Sequence, residues 1–165
     1  MTYEYKIADA DGLSRIWEKD IAANPDDPRW LRWRDEYIGY NRDGRAVTFI
    51  VTADGDPVGQ GTLLLFPDCS AIRGRTELAD GARIGNVNAL RIEKAHEGKG
   101  HISRLMRLLE AYAARIGLER LTIGVEAAEA RNLAIYLHWG YTELARYGIE
   151  CGELILYYGK DIGHD

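Results

Sequence analysis

The chain has 165 residues, 46% of them hydrophobic, and a formal net charge of −5, which suits one compact domain with a real core. The acidic balance argues against broad binding to nucleic acid or anionic membrane, both of which need basic surface. No stretch approaches the apolar length of a membrane-spanning helix. Cys69 and Cys151, the only two cysteines, are too few for a disulfide framework, and MTYEYKIAD lacks the basic-then-apolar pattern of a signal peptide, so a reducing cytoplasm is the expected setting.

Tyr3 to Ile7 alternate and predict a first strand. Leu13, Ile16, Trp17 and Ile21 keep helical spacing after Asp11, the expected N-cap. NPDDPRWLRW breaks this helix and starts a second, with Asp27 as cap and Pro28 in the first turn. Trp30, Trp33, Tyr37 and Tyr40 fall on one side of it, and it should end near Gly44. RAVTFIVTADGDPVGQGTLLLF reads as a hairpin around Asp54-Gly55. PDCSAIRGRTELADG reads as a polar loop, and ARIGNVNALRI as a strand ending near Ile92. HEGKGHISRLM then turns into a helix in which Ile102, Leu105, Met106, Leu109, Ala113 and Ile116 keep a 3.6 period up to Gly117. RLTIGV is a short buried strand, residues 131–139 a short helix, and two last strands are expected around 141–146 and 153–158. With no repeat or linker, this order predicts a single α/β domain over residues 1–165 with a mixed sheet.

The segment His96 to Met106 carries the chemistry. Backbone N–H groups at a helix start have no intrahelical partner and carry the positive end of its dipole, so an anion held there collects several hydrogen bonds. Gly98 and Gly100 let a phosphate approach that backbone. From Arg91 to Arg107 there are five basic residues and two acidic ones, a basic island on an acidic chain. The glycine pattern is neither a P-loop nor the dinucleotide fingerprint. By itself it fits a plain strand–helix connector as well as a phosphate cradle.

Two motifs together resemble the GNAT superfamily of acyl-CoA-dependent N-acetyltransferases. Leu90-Arg91-Ile92 matches the strand end that precedes the family's R/Q-x-x-G-x-G/A loop, and Glu97-Gly98-Lys99-Gly100-His101-Ile102 occupies the loop. Downstream, Ile135, Tyr136, Gly140 and Tyr141 match the second family motif. Glu97 stands where Arg or Gln is usual, Ile102 replaces a small residue, and Glu129 and Asn132 stand where Asn and Ala are usual. The resemblance implies a mixed, mostly antiparallel sheet of about seven strands flanked by about four helices and splayed at the cofactor cleft.

It also implies acetyl-CoA as co-substrate. Its pyrophosphate would lie on Glu97 to Ser103, with Asn132 also near the cofactor, and its pantetheine arm would pair with the backbone of Leu90, Arg91 and Ile92 in a gap between that strand and the one before Glu126. Tyr136 would be the general acid for the leaving thiolate. An alkyl amine with a pKa near 10.4 costs roughly 4 kcal/mol to deprotonate at neutral pH, so a base or a water relay is needed. By period 2, Ile84, Asn86, Asn88, Leu90 and Ile92 share one face, so Asn88 is the candidate for positioning a water. Trp30, Trp33 and Tyr37 are candidates for an aromatic acceptor pocket, although such a stripe is also a core pattern. Glu150 is a candidate for attracting a cationic amine. His96, His101 and His138 have no carboxylate or cysteine at ligand spacing, so no metal is expected. The partner would be a small-molecule or peptide amine, with neither nucleic acid nor membrane, and a homodimer stays open. Two alternatives remain: a non-catalytic module that binds acyl-CoA, and a nucleotide-binding protein using the same turn.

Overall fold

A computed structural model describes residues 1–163. The strands are β1 (Tyr3–Ile7), β2 (Ala46–Ala53), β3 (Asp56–Leu64), β4 (Ile84–Ile92), β5 (Arg120–Glu126), β6 (Glu143–Glu150) and β7 (Glu153–Asp161). The helices are α1 (Ala10–Ala23), α2 (Arg29–Asp43), α3 (His101–Arg115) and α4 (Ala130–His138), and a 3-10 turn covers Lys94–His96. Ladder neighbours follow the order β1-β2-β3-β4-β5-β7-β6. The β4–β5 pair is parallel, whereas β1–β2, β5–β7 and β6–β7 are antiparallel. The element order and the mixed sheet agree with the reading of the sequence.

The chain groups into two compact units. The first comprises Met1–Leu63 and Ala89–Leu109, the second Leu64–Asn88 and the chain from Glu110 onward.

In the first unit, β2 is buried along its whole length, and Leu13, Ile16 and Trp17 of α1 and Tyr37 and Tyr40 of α2 are buried too. The cap of α1 is Asp9 rather than Asp11. Asp9 has the extended backbone a cap requires, and its carboxylate accepts from Gly12 N at 2.7 Å. Asp11, two residues on, is already inside the first turn. In α2 the N-cap is Pro28 rather than Asp27, which lies one residue before it and accepts from Arg29 N at 3.1 Å, and the helix ends at Gly44 as expected. The β2–β3 hairpin turns through Asp54 and Gly55, both with positive φ, which matches the right-handed twist of the flanking strands.

The second unit departs from the reading at two places. The stretch taken for a polar loop, 67–81, carries Cys69, Ile72, Leu78 and Ala79, all at most 1% exposed. Its apolar residues have no regular period because turns rather than a helix or strand aim them inward. Asp80 closes the loop by accepting from the amides of Ala82, Arg83 and Ile84. The final hairpin turns through Cys151 and Gly152, both with positive φ, and both of its strands run further than expected, to Glu150 and Asp161.

β4 also differs. Within the strand Ala89 has φ of +51°, a left-handed torsion that a residue other than glycine seldom adopts.

Candidate active site

The glycine turn belongs to the first unit. Gly98 and Gly100 have φ of +77° and +82°, and a side-chain carbon added at either would meet nothing within 4 Å. The first i→i−4 bond of α3 runs from Arg104 N to Gly100 O at 3.1 Å, so the amides of His101, Ile102 and Ser103 precede the helical ladder. Gly98, Lys99 and Gly100 are exposed. Together these features make an open, amide-lined hollow at a positive helix end, which fits a phosphate. Glu97 is exposed and pairs with no described residue, and Lys99 Nζ donates to Tyr3 OH at 3.0 Å.

The rest of this unit sorts the other candidates. The Arg91 side chain is committed elsewhere. It donates to Asp20 Oδ2 at 2.6 and 3.1 Å and lies over the Trp17 and Trp30 rings, so only its backbone is available to a ligand. Asp20 is pushed up by burial, against which Arg91 pulls it down. Lys19 fixes the end of β4 by donating to Glu93 at 2.9 Å, while Glu93 N donates to Val58 O. Tyr37 is 5% exposed and packs on Trp17 and Tyr40, which makes it core rather than pocket lining. Trp30 and Trp33 remain half-buried, edge to face, with Arg29 over Trp33.

In the second unit, Asn88 Nδ2 donates to Asn86 Oδ1 at 3.2 Å, and Asn86 Nδ2 donates to Thr122 Oγ1, which donates to Leu78 O. This polar chain orients the Asn88 carboxamide. Tyr136 sits on α4, half-buried beside Trp139, and its hydroxyl bonds to no other described residue. Burial, and then the nearby Glu129 carboxylate, push its phenol above the ordinary value of 10.0, so it stays protonated at neutral pH. Asn132 is exposed and donates to Glu129 at 3.5 Å.

Glu150 is not a free carboxylate. It accepts from Tyr157 OH at 2.8 Å and pairs with Arg75 at 3.3 Å and Arg73 at 3.7 Å. Burial raises its carboxyl, but the bonds from Tyr157 and Arg75 overcome this and hold it below 4.5. Its charge is already matched, which argues against attraction of a cationic amine. Sequence reasoning missed Arg75, whose side chain is only 13% exposed and also donates to Ile72 O and Ala71 O. Arg75→Ala is expected to lower unfolding free energy by about 1–3 kcal/mol, because it leaves a half-buried carboxylate and two carbonyls short of a donor. Arg73→Ala, at an exposed guanidinium, should cost less than about 1 kcal/mol. Urea denaturation of both variants checks the difference, and equal losses would show that the burial of Arg75 is immaterial.

Among the described residues, no group of three or more His, Cys, Asp or Glu side chains is placed to hold a metal ion, and no helix is long and apolar enough to cross a membrane.

A family model, the Acetyltransferase (GNAT) family, matches residues 10–141. Similar solved structures include an N-acetyltransferase from Staphylococcus aureus Mu50 at 16% identity, covering 98% of this chain and 99% of that one with a TM-score of 0.73. Another is yncA from Salmonella typhimurium with its cofactor acetyl-CoA, at 14% identity, 100% and 96% coverage and a TM-score of 0.72. A third is the ribosomal-protein-S18-alanine N-acetyltransferase from Escherichia coli, at 15% identity, 99% and 96% coverage and a TM-score of 0.73. At these identities the likeness is one of fold. No curated protein sequence matches the chain.

Proposed function

The chain belongs to the acetyltransferase (GNAT) family, and from that premise we propose that it transfers an acetyl group from acetyl-CoA to a primary amine of a small molecule or peptide. The observation that carries this reading is the turn at Gly98 and Gly100, with its left-handed glycines, open approach and helix-start amides. The solved relatives point the same way, since yncA is described with acetyl-CoA and a Thermoplasma acidophilum relative with coenzyme A.

Acetyl-CoA supplies an acyl group already activated as a thioester. The amides of residues 98–103 hold the pyrophosphate, and the backbone of Leu90 and Ile92 offers hydrogen bonds to the pantetheine amides. A water held by the Asn88 carboxamide passes to solvent the proton that frees the amine; the amine nitrogen then forms a bond to the acyl carbon as the carbon–sulfur bond breaks, and it gives up a second proton to the same water to leave the neutral amide. Tyr136 gives its phenolic proton to the departing sulfur and regains one from solvent. The free hydroxyl and raised pKa of Tyr136 support this role.

The reading is tested by thiol release from acetyl-CoA with a panel of primary amines, together with mass spectrometry of the products. Amine-dependent release with an N-acetylated product is expected. Coenzyme A binding without release for any amine would instead favour a non-catalytic acyl-CoA-binding module. Competition by ATP or NAD but not by coenzyme A would identify the turn as a nucleotide site.

A further inference from the structure

Nothing lies within 4 Å of where a side-chain carbon would stand at Gly98 or Gly100 of the glycine turn. The space over Gly98 and Gly100 is empty, so the side chains on either side must hold its shape. Those side chains reach a single strand. Tyr3 OH lies 2.9 Å from His96 Nδ1 and accepts from Lys99 Nζ at 3.0 Å. Tyr5 OH hydrogen-bonds with His101 Nδ1. Tyr3 and Tyr5 alternate on β1 and so project to one face, and they grip the residue before the turn, a residue within it and the first residue of α3. The strand is itself fixed, since Tyr3 pairs with Ala53 and Tyr5 with Val51, and Thr2 and Asp54 exchange two hydrogen bonds at 2.8 Å.

His101 is the unexpected member. It is 5% exposed, with its ring 4.3 Å from that of Tyr3, yet its Nε2 is buried with no partner among the described residues. A leucine would fill such a position without an unmatched nitrogen, so packing alone does not account for an imidazole here. The bond to Tyr5 does account for it, because it fixes the rotation of the first helical residue. Burial, then His96, Lys99 and Arg104, keep the ring neutral, and Arg104 also lies over the Tyr5 ring.

We propose that Tyr3 and Tyr5 of β1 are positioning residues that pre-form the phosphate turn through His96, Lys99 and His101, without themselves touching the ligand. The proposal rests on the coenzyme A reading of the turn. A pre-formed turn loses less freedom on binding, so removing the brace weakens affinity rather than chemistry.

Tyr5→Phe removes one hydroxyl and keeps the ring. In the unligated variant, hydrogen exchange of amides 98–103 should accelerate several-fold, with β2 and β3 unchanged. Calorimetry with coenzyme A should show affinity about threefold to tenfold weaker. KM for acetyl-CoA should rise by the same factor at unchanged kcat. Tyr3→Phe should act in the same direction, and it serves as the test if Tyr5→Phe lowers global stability. Exchange and affinity both equal to wild type would overturn the brace. Failure of the wild-type protein to bind coenzyme A would overturn the functional reading instead, and the exchange experiment would still decide whether β1 holds the turn.

Discussion

Replacing Tyr136 by phenylalanine is expected to lower kcat by about 10²-fold, while KM for acetyl-CoA and melting temperature stay near wild type. The argument starts from protonation. A general acid must carry its proton at the working pH and must be free to give it. Burial and the Glu129 carboxylate hold the Tyr136 phenol above 10.0, and its hydroxyl has no competing partner among the described residues. Phenylalanine keeps the ring beside Trp139 and loses only the hydroxyl, so the fold should persist. The pH profile gives a second reading of the same group. In the proposed role the protonated phenol is the active form, and its pKa is raised, so wild-type kcat should hold through neutral pH and fall only above about pH 10, as the proton is lost. The variant should show no such alkaline limb. A kcat within twofold of wild type, or an alkaline limb that survives the substitution, would remove Tyr136 from the chemistry.

Local signals were the legible part of this chain. The 3.6 period of α3, the Asp54-Gly55 hairpin and the Gly44 stop each depend on residues near one another in sequence, and the structure has all three. The glycine turn was legible in the same way, because the positive φ of Gly98 and Gly100 is a local property of those residues, although the side chains that brace the turn were not. Long-range pairing was not legible. Nothing near Tyr3 or Tyr5 announces that residues more than ninety positions away will hydrogen-bond to them. Arg75 looked like one charge in a polar loop, and Glu150 like a free anion, because their partnership spans seventy-five residues. The left-handed torsion at Ala89 was hidden for a different reason. Alanine suits a strand, and its positive φ is imposed by tertiary context rather than by propensity.

Gly100→Ala is expected to weaken coenzyme A binding by about tenfold or more, and Gly98→Ala to act in the same direction. Two separable costs are involved. The first is conformational, since φ of +82° suits glycine, and a side chain there is strained by about 1–2 kcal/mol. The second exists only with ligand present. The space beside Gly100 is empty of protein atoms, so the added methyl meets no clash in the free chain but stands where a phosphate must approach the helix-start amides. Gly55 provides the control. It has nearly the same torsion, φ of +84°, and the same open surroundings, but it lies in the β2–β3 turn rather than beside a helix start. Gly55→Ala should therefore lose comparable stability in a thermal melt and keep wild-type affinity for coenzyme A by calorimetry. Only an anion site at the α3 terminus separates the two variants. If both lose stability and neither loses affinity, the turn is a connector, and the phosphates must be held elsewhere.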